Sequence, residues 1–192
     1  MLKNMSKAIV FIDGSNFYFW LKDLEAQIDD KHSLLEFDFR KFAEWLAAND
    51  KNELVEVRYY IGALKRQRNN EKSEKMYADQ QKLLGKLQQQ KIPVVLGQLI
   101  QHPDKTFHEK GVDVRLAVEM IRLAREKMYD VAYLVSSDTD LVAAVEEVRS
   151  FGKKVQYIGT ARSQSFGLAK AADDVRLLRS EDIRVFLPTT LL

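Results

Sequence analysis

Two short runs constrain this chain more than anything else in it: residues 8–12, Ala-Ile-Val-Phe-Ile, and residues 131–135, Val-Ala-Tyr-Leu-Val. Both are almost wholly apolar and rich in β-formers. A strand without polar alternation is one buried on both faces, and sheets of that kind are parallel and covered by helices. Helical and strand patterns alternate along the rest of the chain, which argues for an α/β fold with a mainly parallel sheet. Further strands are expected at 54–61, at 94–96 with an extension to 100, at 155–158, and as a short terminal strand at 185–187. Helices are expected from Ser15 or Asn16, behind an Asp38 N-cap, over 71–90, over 112–127, from Thr139 or Asp140, and over 164–171. Within 112–127 the apolar stripe Val114, Ala117, Val118, Ile121 and Ala124, widened by Met120 and Leu123, is expected to pack on the sheet.

The length of 192 residues fits one domain over 8–192 after a flexible N-terminus at 1–7. No apolar run approaches the roughly 18 residues of a membrane span. The five apolar residues before Asp13 are too few for a signal-peptide core. The expectation is a soluble, cytoplasmic protein without a membrane partner. The chain has no cysteine, which excludes disulfides and zinc–thiolate sites and fits a reducing compartment. Net charge is +2, and its distribution says more than its value: residues 58–75 carry six basic and two acidic side chains, whereas residues 21–38 carry two basic and six acidic. The basic segment is either a solvated surface or a lip that receives a polyanion.

Four aspartates fall where such a sheet would gather them. Asp13 ends the first apolar run. Asp138 and Asp140 follow the second after two serines. Asp113 opens the helix behind Lys110 and Gly111. In an open parallel sheet, ligands bind at the edge formed by the strand C-termini. Carboxylates collected there repel one another unless a cation lies between them: two unit charges about 4 Å apart interact with about 4 kcal/mol at an effective dielectric near 20. Oxygen-only ligands suit Mg²⁺ or Mn²⁺. Capping explains one of Asp138 and Asp140 well and both poorly, since a second acid at a helix start gains under about 1 kcal/mol. Asp13-Gly14-Ser15-Asn16 alone would pass as a strand-to-helix turn. Asp173 and Asp174 are a weaker candidate pair, either ligands or caps.

Several metal or phosphate sites fail on particular residues. A haloacid-dehalogenase-type phosphatase needs an aspartate where Ser15 stands. A von Willebrand-type site needs a hydroxyl where Phe17 stands. A Toprim domain matches Asp138 and Asp140 but wants glutamate in place of Asp13. No glycine-rich phosphate loop ends in Gly-Lys-Ser or Gly-Lys-Thr. His32, His102 and His108 are scattered in polar surroundings and read as surface residues. The run Phe17-Tyr18-Phe19-Trp20 reads mainly as core, with room for one member at the edge of the site.

The segments Phe11-Ile12-Asp13-Gly14-Ser15-Asn16, Lys110-Gly111-Val112-Asp113-Val114 and Ser136-Ser137-Asp138-Thr139-Asp140-Leu141 together resemble the three motifs of the NYN domain, in its LabA-like branch, within the PIN-like nuclease superfamily. They occur in family order and span most of the chain. The resemblance implies a PIN-like, Rossmann-like three-layer α/β/α sandwich around a central, mainly parallel sheet. It also implies a divalent-metal site and ribonuclease activity. By motif, Asp13, Asp113, Asp138 and Asp140 are the acidic metal ligands and catalytic residues, with Asn16 and Ser137 as accessory polar groups. The commoner form of the last motif has glycine in place of Ser137.

The expected chemistry is metal-dependent hydrolysis of phosphodiester bonds in single-stranded or structured RNA. Lys110 and the basic stretch Lys65, Arg66 and Arg68 would hold the backbone in a salt-sensitive, sequence-independent way. Two alternatives use the same fold: a non-catalytic RNA-binding or regulatory module, and a metal-dependent phosphatase for a small substrate. The polar helix over 71–90 could pack on its own domain or on another copy, which leaves homo-oligomerisation open.

Overall fold

The computed structural model describes residues 5–28, 34–64, 66, 70–101 and 107–188, with the side chains of 24–28, 34, 98–101 and 107–110 left out of the description. The chain starts in the middle of its sheet. Strand β1 (Lys7–Asp13) leads through helices α1 (Gly14–Ile28) and α2 (Phe39–Asn49) to β2 (Glu53–Gly62). Helix α3 (Glu71–Gln89) leads to β3 (Val94–Gln101) and the hairpin partner β4 (Phe107–Lys110). Helix α4 (Val112–Arg125) then returns to the other side of β1, where β5 (Val131–Val135) lies. The series ends with α5 (Val142–Ser150), β6 (Lys154–Thr160), α6 (Phe166–Ala171), β7 (Asp174–Leu178) and α7 (Ser180–Arg184).

The strand order is β4-β3-β2-β1-β5-β6-β7. All neighbours pair in parallel except β3 and β4. Parallel crossovers are right-handed in nearly every protein. A chain that first walks one way from β1 and then the other must therefore place its two sets of helices on opposite faces. Two separate cores show that it does. On one face α1, α2, α3 and α7 contribute Phe17, Phe42, Leu87 and Ile183. On the other α4, α5 and α6 contribute Leu116, Met120, Val145 and Leu168. The direction of travel reverses between β1 and β5, where Ile12 is in register with Val135. That pair of strand ends is the topological switch point, the place where open α/β sheets bind ligands.

Local chemistry accounts for most element ends. The Asp38 carboxylate accepts from the Lys41 amide at 2.9 Å and caps α2 as expected. Asn70 caps α3 through the Ser73 amide. Gly152, at φ 72, closes α5 in a left-handed conformation that costs glycine nothing. The first face is unusually aromatic: Phe17, Phe37, Phe39, Phe42 and Phe186 pack with centroids such as Phe37–Phe39 at 4.8 Å and Phe42–Phe186 at 5.5 Å.

Two expectations need correction. The helix over 112–127 buries Val112, Leu116, Met120, Leu123 and Ala124, while Val114 and Val118 stand 65% and 57% exposed. This helix has two adjacent apolar stripes, and the one carrying Val112, Leu116 and Met120 meets the sheet. Residues 185–187 form no strand. Asp182 accepts the Arg179 amide at 2.9 Å and starts α7 instead, and the edge position belongs to β7. Phe186 and Leu187 are buried under α2, with the Phe186 carbonyl accepting the Asp38 amide at 2.9 Å. The β3–β4 hairpin was not foreseen at all. Among the described residues no helix is long and apolar enough to cross a membrane.

Gly14 is the point where fold and site meet. A Cβ there would lie 2.8 Å from the Tyr60 carbonyl and would overlap the Tyr59 ring. The backbone of β2 cannot yield as a flexible side chain would. Gly14→Ala is expected to destabilise the protein by about 1–3 kcal/mol, lowering the melting midpoint by about 2–4 °C per kcal/mol. Thermal unfolding followed by circular dichroism checks this, and an unchanged midpoint would contradict the close approach.

Candidate functional site

Asp13 is the last residue of β1, and only 1% of its surface is exposed. A carboxylate so placed needs donors. It has three. The Asn16 amide donates to Oδ1 at 3.1 Å, the Asn16 side-chain nitrogen donates to Oδ2, and Ser136 Oγ donates to Oδ2 at 2.9 Å. The first two come from the turn into α1, the third from the end of β5. The carboxylate therefore ties the two strands of the switch point together. Beneath it, burial and the Asp13 charge both push the Tyr59 phenol pKa up.

The end of β5 is built as a chain of short contacts. Ser136 Oγ, while donating to Asp13, accepts the Asp138 amide at 3.1 Å. Ser137 Oγ donates to Asn16 Oδ1. Asp138 Oδ1 accepts the Asp140 amide at 2.9 Å and caps a single 3-10 turn, Thr139–Leu141, ahead of α5. So Asp138 does act as a cap, with one oxygen. Asp140 and Asp113 are exposed, and their carboxylates make no such contact among the described residues. Ser136 was missed as a site residue in the sequence. Its signal was its place between the buried strand and Asp138, where any small residue would have looked equally suitable.

Asp113 arrives from the far side. Gly111, at φ 83, makes the left-handed turn that launches α4, and Asp113 sits in the first helical turn. Its carboxyl pKa is raised, first by desolvation and then by the charges of Asp13, Asp138 and Asp140. The three other aspartates thus act on Asp113 as one negative cluster across the switch point. Among the described residues, no three acidic or histidine side chains are close enough to grip one ion together as they stand. The donor set is nevertheless oxygen-only and mutually repulsive, which fits a hard divalent cation held partly through water.

Other candidates fall elsewhere. Asn16 and Ser137 join the cluster and line a cavity of about 10 Å³ with Phe17, Trp20, Ile158 and Ser163. Such a space holds about one water molecule. Asp173 and Asp174 lie at the opposite, N-terminal edge of the sheet. There Asp173 binds Arg149 at 2.9 Å and accepts the Val155 amide at 2.9 Å, a structural tie between α5 and β6. Arg66 is exposed and paired with Glu74 at 3.2 Å. Lys65 and Arg68 lie outside the described residues, as does the Lys110 side chain, although its backbone ends β4 opposite Gln98.

The NYN domain family matches residues 7–179. The chain belongs to the NYN domain family. Its fold resembles the crystal structure of a protein of unknown function from Vibrio parahaemolyticus, with a TM-score of 0.65 at 24% identity over 98% of this chain and 100% of that one. At that identity the likeness concerns the fold alone. The superposition on the MurG of Acinetobacter baumannii is looser, with a TM-score of 0.41 at 10% identity over 88% of this chain and 40% of that one. No curated protein matches. The family match brackets all four aspartates of this NYN domain.

The repulsion on Asp113 has a measurable sign. A folded-state carboxyl pKa above the unfolded one means that deprotonation costs the fold stability. The cost is absent while Asp113 is protonated in both states and grows as pH rises through the window between its unfolded and raised folded values. Without divalent metal, Asp113→Asn is therefore expected to melt higher than wild type at neutral pH. The difference should shrink towards zero below the ordinary carboxylate range. Melting curves across pH in EDTA test this, and a variant less stable than wild type at neutral pH would contradict the repulsion.

Proposed function

We propose that this NYN domain is a metal-dependent nuclease that hydrolyses phosphodiester bonds, with RNA as its substrate. The observation that carries the reading is the convergence of Asp13, Asp113, Asp138 and Asp140 on one switch point, marked by the three-way repulsion on Asp113. The NYN domain is a PIN-like nuclease family, which supports the same chemistry. Mg²⁺ or Mn²⁺ would be held by these four aspartates, directly or through water. When bound, such an ion neutralises charge on a scissile phosphate and lowers the pKa of a bound water.

The protein's own residues do the positioning. Ser136 and Asn16 hold the Asp13 carboxylate in one orientation. Asp138 keeps one oxygen on the Asp140 amide, which fixes the turn that carries both acids. Ser137 orients Asn16 from the opposite strand end. Lys110 precedes Gly111 and Asp113 on the chain, and the sequence assigns it, with Lys65, Arg66 and Arg68, to the phosphate backbone. The exposed positions of Asp113 and Asp140 leave the edge open to a polymer. That favours the nuclease reading over a phosphatase. A non-catalytic RNA-binding role is the second reading, favoured by carboxylates that stand too far apart to form a ready-made ion site.

Cleavage of labelled single-stranded RNA with Mn²⁺ separates the two readings. Wild type is expected to cut, and Asp138→Asn to lose at least about a hundredfold in rate, the scale of removing one preorganised charge-stabilising group. Equal residual cleavage by both proteins would sink the catalytic assignment, and RNA binding without turnover would establish the second reading.

A further inference from the structure

The loop from β6 into α6 ends beside the acidic edge. It is held firmly. Thr160 Oγ1 and Ser163 Oγ are 2.7 Å apart, and the Ser163 amide donates to Thr160 Oγ1 at 3.2 Å. The Ser165 amide donates to the buried Tyr157 hydroxyl at 2.9 Å, and Ser165 Oγ accepts the Leu168 amide at 3.2 Å. The loop is also clamped to the acidic turn. Ser165 Oγ lies 3.1 Å from Thr139 Oγ1, between Asp138 and Asp140 in sequence. Gly167 approaches Thr139 so closely that a Cβ would lie 2.8 Å from its methyl group.

On this rigid base stands Phe166, 81% exposed, the most exposed large apolar side chain among the described residues. Its backbone is fixed while its ring stands largely in solvent. Arg162 precedes it by four residues, and Lys170 follows by four on the same face of α6. Both are exposed, and neither has an ion-pair partner among the described residues. By contrast Arg58, Arg149, Arg176 and Lys153 are all paired with carboxylates. Sequence-tolerant binding of single strands combines an aromatic face for a base with cations for the flanking phosphates.

We propose that the β6–α6 loop is the lip that holds single-stranded RNA against the acidic edge, with Phe166 stacking on an unpaired base and Arg162 and Lys170 meeting the flanking phosphates. The assignment rests on the nuclease reading above and names the part of the surface that selects a single strand. Stacking requires a π-face, which an aliphatic residue lacks and a tyrosine keeps. The cations act through charge and so set the salt dependence.

The test is fluorescence anisotropy of a fluorescein-labelled oligouridine with the full chain in EDTA, paired with KM for cleavage of the same strand with Mn²⁺. Phe166→Ala and Phe166→Leu are expected to weaken binding, or raise KM, about tenfold. Phe166→Tyr should keep wild-type values. Arg162→Gln and Lys170→Gln should each lower the slope of log affinity against log salt by about one. All five variants should melt with wild type, since the side chains are exposed. Phe166→Leu behaving as wild type in both Kd and KM overturns the stacking assignment while leaving the nuclease reading intact. A wild-type protein that neither binds nor cuts the strand overturns both.

Discussion

A carboxylate with almost no exposed surface must be met by donors from the chain around it, and in this protein Asp13 sets that demand. Its partners come from two strands far apart in sequence: Asn16 just beyond β1 and Ser136 just beyond β5. For both to reach it, β1 and β5 must be neighbours in the Ile12–Val135 register, and α1 must begin at once at Gly14. A one-residue slip of either strand would turn its side chains to the opposite face and leave the carboxylate unsatisfied. The topology and the site thus impose the same requirement. The reversal of chain direction that creates the switch point also places Asp13 and Asp138 side by side.

Asp113 works against the fold rather than for it. It is held in the field of Asp13, Asp138 and Asp140, while Asp138 caps the turn that carries Asp140. That strain is tolerable because two independent cores, one on each face of the sheet, bury all of β1 beyond Lys7 and all of β5 beyond Val131. Functional sites commonly break the local rules that the rest of a structure obeys. Here the broken rule is charge separation.

Much of this was legible in the sequence. The uninterrupted apolar runs of β1 and β5 can be satisfied only inside a covered sheet, so parallel α/β architecture followed directly. Asp38 as a cap and Gly152 as a helix stop were readable because each depends only on its own turn. Readings that depended on distant contacts failed. α4 is apolar on two adjacent stripes, and only the positions of the sheet residues Ile9 and Phe11 and of the loop residue Tyr129 decide that Leu116 and Met120 are buried and Val118 is not. Phe186 and Leu187 looked like a strand because burial, not pairing, is what their composition records. Asp173 looked like Asp138, but it is needed by Arg149 at the wrong end of the sheet. The lip at Phe166 had no sequence signal, because an exposed phenylalanine and a buried one are spelled alike.

The sequence by itself determined the sheet class, the helix starts with polar caps, and the identity of the residues whose chemistry suits a hard metal. Those are local properties: apolar run length, capping side chains and the charge of a carboxyl group. Only the tertiary structure decided which of the aspartates face one another, that Ser136 joins them, and that Ser165 and Gly167 lie against Thr139. Those depend on strand order and register. Both arise from the handedness of the crossovers and the packing of two cores, which no single segment encodes.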